Sequence, residues 1–335
     1  MRKFIIRSAF FGFLVLVIFG GWSAALLHLE LTSYFREATI PSGVRFAVCS
    51  DSQTEVALLP EVWPRFFNFS ISAIQLDQYE LKILDLLDRN PGRLKALIVD
   101  ISPRKLLAQD IDTPLLDHRS AGKRFLLHAL HPRESRRSMG GMAVLFRDSI
   151  LVKRSVKAFK AYRKGRPYLS SIGGRGSAGG ARTEEEATRN RDRLLRQPAI
   201  LGFHDHLEQV LAGIEEHGAE LNAWGPVDGT SKTCGCIRDI LTLVKSRGVT
   251  PVLITTPYHP AFLEKIPRAS LDNFRKTMRE ISQACDVAWF DYLEMPFPDD
   301  QWRDGNHLNS HGAVFLTERV RHDVETAVIG KRHDD

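Results

Sequence analysis

The chain has 335 residues, of which 43% are hydrophobic and 26% are charged. This composition is typical of a globular protein with one large domain or two smaller ones, and it excludes a wholly disordered chain. Four cysteines in this length exclude a small scaffold held together by disulfides. The net charge of +6 would suit nucleic-acid binding only if the positive charges cluster on one surface or segment, so their distribution along the chain has to be considered.

The first 30 residues are typical of a membrane anchor. Met1-Arg2-Lys3 and Arg7 precede an uncharged run from Ser8 to Leu27, which is long enough to cross a hydrocarbon core of about 30 Å. The run is apolar all round, unlike an amphipathic helix of a globular core. The positive charges before it indicate a cytoplasmic N-terminus and an extracytoplasmic main domain. We expect an uncleaved signal anchor at residues 1–30 of a single-pass inner-membrane protein. A cleaved signal peptide is the alternative, because Ser23-Ala24-Ala25 offers small residues for cleavage.

Apolar strands and helices alternate along residues 40–330. Short apolar runs predict strands at residues 44–49, 66–70, 96–101, 251–255 and 287–290. Helical spacing of apolar side chains predicts helices at residues 76–87, 237–245, 271–285 and 312–328. This alternation predicts an α/β fold with a parallel sheet covered by helices on both faces.

Residues 104–200 interrupt the alternation and carry the basic charge of the chain. Residues 104–182 contain 18 Lys and Arg against 5 Asp and Glu, a net charge of +13, so the rest of the chain carries −7. With its glycine-rich stretch at residues 173–180, the segment is expected to be a basic, partly disordered insertion. Its extracytoplasmic location and few aromatic residues argue against nucleic acid. Inner-membrane lipid headgroups or an acidic polysaccharide are the expected partners, and a solvated loop without a partner is the alternative.

Two polar blocks occupy positions suited to catalysis. Ser52, within Ser50-Asp51-Ser52, follows the first predicted strand, where a turn exposes a nucleophile and backbone N–H groups can hold an oxyanion. Asp304 precedes His307 by three residues, so its carboxylate can reach the imidazole and leave the other ring nitrogen free as a base. His259 follows a later strand, where open α/β sheets bind ligands, and can contact substrate or hold its loop. Each block alone also fits a capped or solvated turn.

Together these blocks resemble those of the SGNH (GDSL-like) hydrolase and acyltransferase superfamily. Ser50-Asp51-Ser52 matches the family's Gly-Asp-Ser block at its last two positions, and Asp304 to His307 matches its Asp-x-x-His block. The resemblance implies a three-layer, flavodoxin-like parallel sheet over residues 40–330, interrupted by the basic insertion. It also implies Ser52 as nucleophile, His307 as base and Asp304 as the residue that orients the base.

The resemblance further implies an oxyanion hole. Ala73 stands at the position of a glycine whose N–H holds the oxyanion together with the N–H of Ser52. Where the family has Gly-x-Asn-Asp, this chain has Ile101-Ser102-Pro103-Arg104, so one oxyanion donor is missing. Loss of such a donor typically costs about 10²–10³ in rate. Three residues are expected to contact substrate: Asp51, His259 and Asn306.

Within the superfamily the chain is similar to membrane-anchored bacterial envelope proteins, of the alginate O-acetyltransferase-like and lipoteichoic-acid D-alanylation kinds. The resemblance implies an extracytoplasmic serine-dependent O-acyl esterase or O-acyltransferase that acts on a cell-envelope polysaccharide or related glycan. Its expected partners are that polysaccharide or an acyl-donor membrane protein, and no metal or cofactor is expected. A non-catalytic assembly or binding protein of envelope polymer biosynthesis is the alternative, favoured by the missing third block.

Overall fold

The structure, a computed structural model, describes Phe10 and residues 40–70, 76–107, 181–197 and 229–330. Apart from Phe10, these residues belong to one compact unit formed by residues 38–115 and 174–335. The predicted anchor at residues 1–30, except for Phe10, and most of the predicted insertion lie outside the described residues. Among the helices that are described, none is both long and apolar enough to cross a membrane.

Five parallel strands form one sheet. The strands are β1 (Phe46–Cys49), β2 (Phe66–Asn68), β3 (Ala96–Asp100), β4 (Thr250–Thr255) and β5 (Ala288–Asp291). Their order is β2-β1-β3-β4-β5 and every neighbouring pair is parallel, which is one of the common doubly wound arrangements. The predicted α/β fold with a parallel sheet is confirmed, and each predicted strand agrees with the structure to within two residues.

Helices connect the strands and pack on the sheet. In chain order they are α1 (Ser52–Ala57), α2 (Leu76–Arg89), α3 (Pro103–Leu107), α4 (Glu184–Arg196), α5 (Lys232–Ser246), α6 (Pro260–Leu263), α7 (Arg268–Ala284) and α8 (Ser310–Gly330). The α2 helix packs on α5, and α7 packs on α3, whereas α8 packs on α1 and α4. A 3₁₀ turn at Asp299–Gln301 precedes α8.

The core lies on both faces of the sheet because strand side chains alternate between them. On one face, Val48 and Ile98 join a cluster with Leu316 and Val320 of α8. Side chains at the alternate positions are buried as deeply, for example Leu97. Burial on both faces explains why β1 to β4 read as nearly continuous apolar runs in the sequence, whereas the edge strand β5 is only partly buried.

The α4 helix is packed on the domain although it lies within the predicted insertion of residues 104–200. Arg191 pairs with Glu318 of α8 at 3.0 Å, and Asn190 donates to the carbonyl of Glu61 at 3.1 Å. Only Ala187 is buried in this helix, so it has no apolar stripe that the sequence could reveal. The described end of the segment is therefore part of the folded domain and is held mainly by polar contacts.

The first turn of α8 has no room for a side chain at Gly312. A Cβ atom there would lie 2.6 Å from the carbonyl oxygen of Gln301 and 2.9 Å from Cδ2 of Leu308. We expect Gly312→Ala to lower the free energy of unfolding by about 1–3 kcal/mol, because the loop before α8 must shift. Urea unfolding of the purified variant measures this change.

Gly235 in α5 supplies the matched control, since a Cβ atom there would meet no neighbouring atom of the described residues within 4 Å. Gly235→Ala should leave the free energy of unfolding unchanged or raise it by about 0.5–1 kcal/mol, because alanine favours the helix. Equal destabilisation by the two substitutions would contradict the packing argument.

Candidate active site

Four polar segments meet at the carboxyl end of the sheet. Ser52 follows β1, Asp100 is the last residue of β3, Thr256 follows β4, and His307 lies in the loop between β5 and α8. Parallel strands bring their carboxyl ends to the same side of a sheet, which is where open α/β sheets bind ligands. The candidate site is built from these segments.

The α1 helix begins directly after β1 and sets the position of Ser52. Asp51 is its N-cap, with extended backbone (φ −101°, ψ −157°), and its carboxylate accepts the N–H of Gln53 at 3.0 Å. Ser52 is therefore the first residue of the helix. Its hydroxyl lies at the point where the chain turns from strand to helix.

The loop from Trp302 to Leu308 carries Asp304 and His307. Its two ends form an isolated antiparallel bridge. Within the loop, Oδ1 of Asp304 accepts the N–H of Asn306 at 3.1 Å and the N–H of His307 at 2.9 Å. This local turn, of a kind that aspartate favours, holds the carboxylate beside the imidazole.

Ser52, His307 and Asp304 form a continuous line of hydrogen bonds. Nδ1 of His307 lies 2.8 Å and 3.0 Å from the two carboxylate oxygens of Asp304, and Nε2 lies 3.0 Å from Oγ of Ser52. When the carboxylate accepts the Nδ1 proton, the lone pair of Nε2 faces the serine hydroxyl. The arrangement can therefore remove the hydroxyl proton while Oγ attacks an electrophile.

The surroundings keep Asp304 ionised. Burial raises the pKa of Asp304, but the hydrogen bond and charge of His307, together with the N–H of Asn306, outweigh burial and bring the pKa below its ordinary value. The side chain of His307 is 16% exposed and that of Asp304 is 36% exposed, so the pair is shielded but still open to a ligand. An ionised Asp304 can stabilise the imidazolium that forms when His307 takes a proton.

Asp100 is a second, fully buried carboxylate at the site, and sequence reasoning missed it. It is 1% exposed, and its oxygens accept the hydroxyl of Thr54 at 2.5 Å and both the hydroxyl and the N–H of Thr256 at 3.1 Å. Burial, with a further contribution from the charge of Asp51, raises the pKa of Asp100 to about 7 although these hydrogen bonds oppose the rise. The available signal was an acidic residue ending the apolar run Ala96–Val99.

Lys105 of α3 is the cation that faces Asp51, and it was also missed. Its Nζ lies 3.5 Å from Oδ2 of Asp51, and its side chain is 14% exposed. Burial lowers the pKa of Lys105, and the charge of Asp51 partly opposes this. Lys105 directly follows the segment at residues 101–104, where the third-block Asn is missing, so this part of the site carries an ammonium group.

His259 is engaged in holding its own loop. Its Nδ1 accepts the N–H of Ala261 at 3.1 Å as the cap of α6, and its Nε2 lies 3.3 Å from Oδ1 of Asp299. The backbone N–H of His259 donates to the carbonyl of Gly305 at 3.0 Å. The residue is 4% exposed and thus supports the loop that carries His307.

Of the other predicted site residues, Asn306 and Asp51 make hydrogen bonds or ion pairs within the protein, and Ala73 is not among the described residues. The carbonyl of Asn306 accepts the side-chain amide of Gln53 at 3.2 Å, which ties the loop of His307 to α1. Asp51 is engaged as the N-cap of α1 and by Lys105. Ala73, the predicted oxyanion donor, lies outside the described residues.

Comparison of the chain with models of known protein families gives no match, and comparison with curated proteins gives none either. The function is therefore inferred from the residues of the site and their geometry.

We expect Asp100→Asn to change how stability depends on pH. The pKa of Asp100 in the folded protein, about 7, lies above its ordinary value of 3.8, so ionisation of Asp100 destabilises the fold as pH rises through this window. Relative to Asp100→Asn, the wild-type protein should lose on the order of a few kcal/mol of unfolding free energy between about pH 4 and pH 7. Urea unfolding on both sides of this window measures the difference.

Asp85→Asn is the control, because Asp85 is a buried carboxylate of α2, at 4% exposed, and bonds to Arg89. A difference between wild type and Asp100→Asn that stays constant with pH would contradict the assignment of this titration to Asp100.

Proposed function

We propose that the protein is a serine-dependent O-acyl esterase or O-acyltransferase. The observation that carries the proposal is the hydrogen-bonded line from Ser52 through His307 to Asp304 at the carboxyl end of the parallel sheet. The strand order supports the three-layer, flavodoxin-like SGNH-type fold that the sequence resemblance implies.

In the proposed reaction, Oγ of Ser52 attacks the carbonyl carbon of an acyl ester while Nε2 of His307 takes the hydroxyl proton. The oxyanion of the tetrahedral intermediate is held by the N–H of Ser52 and, as the resemblance implies, by the N–H of Ala73. Collapse breaks the ester bond, and His307 returns its proton to the leaving alcohol oxygen. An acyl group then remains on Ser52.

The second half-reaction decides between hydrolysis and transfer. Water or a sugar hydroxyl attacks the acyl carbon, His307 takes the proton of the attacking group, and Ser52 leaves with that proton. Both outcomes use the same residues in the same roles, so the proposal covers both.

We propose a cell-envelope polysaccharide or related glycan as the substrate, outside the cytoplasm. This rests on the apolar run from Ser8 to Leu27, on the positive charges before it, and on the resemblance to envelope proteins. An acyl-donor membrane protein would supply the acyl group in a transferase. The net charge of +13 over residues 104–182 suits inner-membrane lipid or an acidic polysaccharide.

A non-catalytic assembly protein of envelope polymer biosynthesis is the second candidate. One observation favours it: Pro103 begins α3 where the family places an oxyanion-binding Asn. An active-site-directed fluorophosphonate separates the two candidates, because only an activated serine reacts with it.

Ser52→Ala is the direct test of the proposed chemistry. Wild-type protein should hydrolyse a chromogenic acetyl ester and take up one fluorophosphonate on Ser52, and Ser52→Ala should lose at least about 10³-fold in kcat/KM and the label. Ser246→Ala, at the end of α5, is the control and should keep both. Full turnover by Ser52→Ala would contradict the mechanism, and a wild-type protein with neither turnover nor label would favour the non-catalytic candidate.

Asp304→Asn tests the role of the carboxylate. An amide NH₂ cannot accept the Nδ1 proton of His307, so the ring should adopt the tautomer whose Nε2 carries the proton and cannot act as a base. We expect kcat to fall about 10²–10⁴-fold. Asp272→Asn, in the exposed Asp272–Arg268 pair of α7, is the control and should keep the wild-type kcat in the same ester assay. A fall of less than about threefold for Asp304→Asn would exclude this role.

A further inference from the structure

The residues on both sides of the nucleophile bond to one carboxylate. Oγ of Ser50, two residues before Ser52, lies 3.4 Å from Oδ2 of Asp100 and 3.2 Å from its carbonyl oxygen. Oγ1 of Thr54, two residues after Ser52, lies 2.5 Å from the same Oδ2. Ser50 and Thr54 are both fully buried. Hydrogen bonds before and after Ser52 thus hold its turn to Asp100, the last residue of β3.

The same carboxylate is also joined to the loop of the base. Asp100 accepts the N–H and the hydroxyl of Thr256, which follows β4. Three residues later, the N–H of His259 donates to the carbonyl of Gly305, within the loop of Asp304 and His307. Hydrogen bonds and three short stretches of chain therefore lead from Ser52 through Asp100 to His307.

An ionised carboxylate in this buried position destabilises the fold unless strong hydrogen bonds to it offset the cost. Burial of an ionised group is unfavourable, and the charge of Asp51 adds to the cost. In return, hydrogen bonds to an ionised acceptor are shorter and roughly twice as strong as those between neutral groups. Here four such donors from two segments, the turn of Ser52 and Thr256 after β4, converge on two oxygens.

We propose that Asp100 is a positioning residue that fixes the distance between Ser52 and His307. The inference rests on the proposed function, since it assigns Asp100 to the same reaction. As a carboxylate, Asp100 accepts the three hydrogen bonds of Thr54 and Thr256, and it shares the hydroxyl proton of Ser50 with its own carbonyl oxygen. As a neutral acid it must itself donate an O–H, so one of the hydroxyls that it accepts has to turn away and the turn is held less tightly.

This role predicts a pH dependence that a neutral substitute lacks. Because burial raises the pKa of Asp100 to about 7, the fraction in the tightly bonded form increases as pH rises through neutrality. In the part of the chain that the structure describes, four titratable groups face Asp100 or its strand: Cys49 of β1, Asp51 before α1, Tyr79 of α2 and Lys105 of α3. Both proteins contain these groups, so a difference between their pH profiles originates from Asp100, either directly or through its charge on these neighbours.

Ester hydrolysis by the full-length chain tests the role. We expect Asp100→Asn to lower kcat about tenfold or more with KM within about twofold, because small displacements of reacting groups are costly. The loss of kcat should be larger at about pH 8 than at about pH 6, although the same rise in pH is expected to lower the stability of the wild-type protein relative to Asp100→Asn. Thr54→Val, which removes the 2.5 Å bond, should give a smaller loss of the same kind.

Asp85→Asn should keep the wild-type kcat, since it removes a buried carboxylate elsewhere in the domain. If kcat of Asp100→Asn equals that of wild type, or if its loss is the same at every pH, the positioning role is wrong. A wild-type protein without Ser52-dependent turnover would instead refute the proposed function.

A measurement that does not depend on turnover tests the positioning role of Asp100 whether or not the protein hydrolyses esters. In protein labelled with ¹⁵N-histidine, the Nε2 resonance of His307 reports its hydrogen bond to Ser52, and Ser52→Ala gives the resonance without that bond. Asp100→Asn should move the resonance toward that of Ser52→Ala, whereas Asp85→Asn should leave it at the wild-type position. An unchanged resonance in Asp100→Asn would overturn the inference.

Discussion

The hydrogen bond between Ser52 and His307 joins two loops that are 255 residues apart in the chain. It can form only because β1 and β5 belong to one parallel sheet whose strands all end on the same side. Neither loop holds the distance alone. The amide of Gln53 reaches the carbonyl of Asn306, and the N–H of His259 reaches the carbonyl of Gly305. The geometry of the candidate site therefore depends on the sheet and on hydrogen bonds between its loops.

Two carboxylates at this end of the sheet, Asp100 and Asp304, lie in environments that push their pKa values in opposite directions. Asp304 is partly exposed and bonded to His307, and its pKa falls. Asp100 is buried beside the charge of Asp51, and its pKa rises to about 7. Active sites commonly assign different tasks to similar groups in this way. Here the environments suit Asp304 to stabilise a cation and Asp100 to hold neutral donors.

Local patterns made the α/β fold with a parallel sheet and the Asp304–His307 pair predictable from the sequence, whereas the pairing of Ser52 with His307 followed from the family resemblance. The strands β1, β2 and β3 are buried along their whole length and read as apolar runs, and Asp304 lies within three residues of His307. Asp100 and Lys105 were missed because their partners come from other strands, and strand order is not written in any local pattern. The α4 helix was assigned to an insertion because ion pairs, rather than an apolar stripe, hold it to α8.

This chain lacks the Asn of the family's Gly-x-Asn-Asp block, which makes the hydrogen bonds of Asp100 more important for the proposed reaction. A missing oxyanion donor typically costs about 2.7–4 kcal/mol of transition-state stabilisation. Lys105, which lies next to that block, does not simply replace the donor, because its charge is shared with Asp51 at 3.5 Å. Accurate placement of reacting groups can supply about 7–11 kcal/mol, more than a single donor contributes. An enzyme built on this chain would therefore depend less on oxyanion contacts and more on how firmly Asp100 holds the turn of Ser52 against the loop of His307.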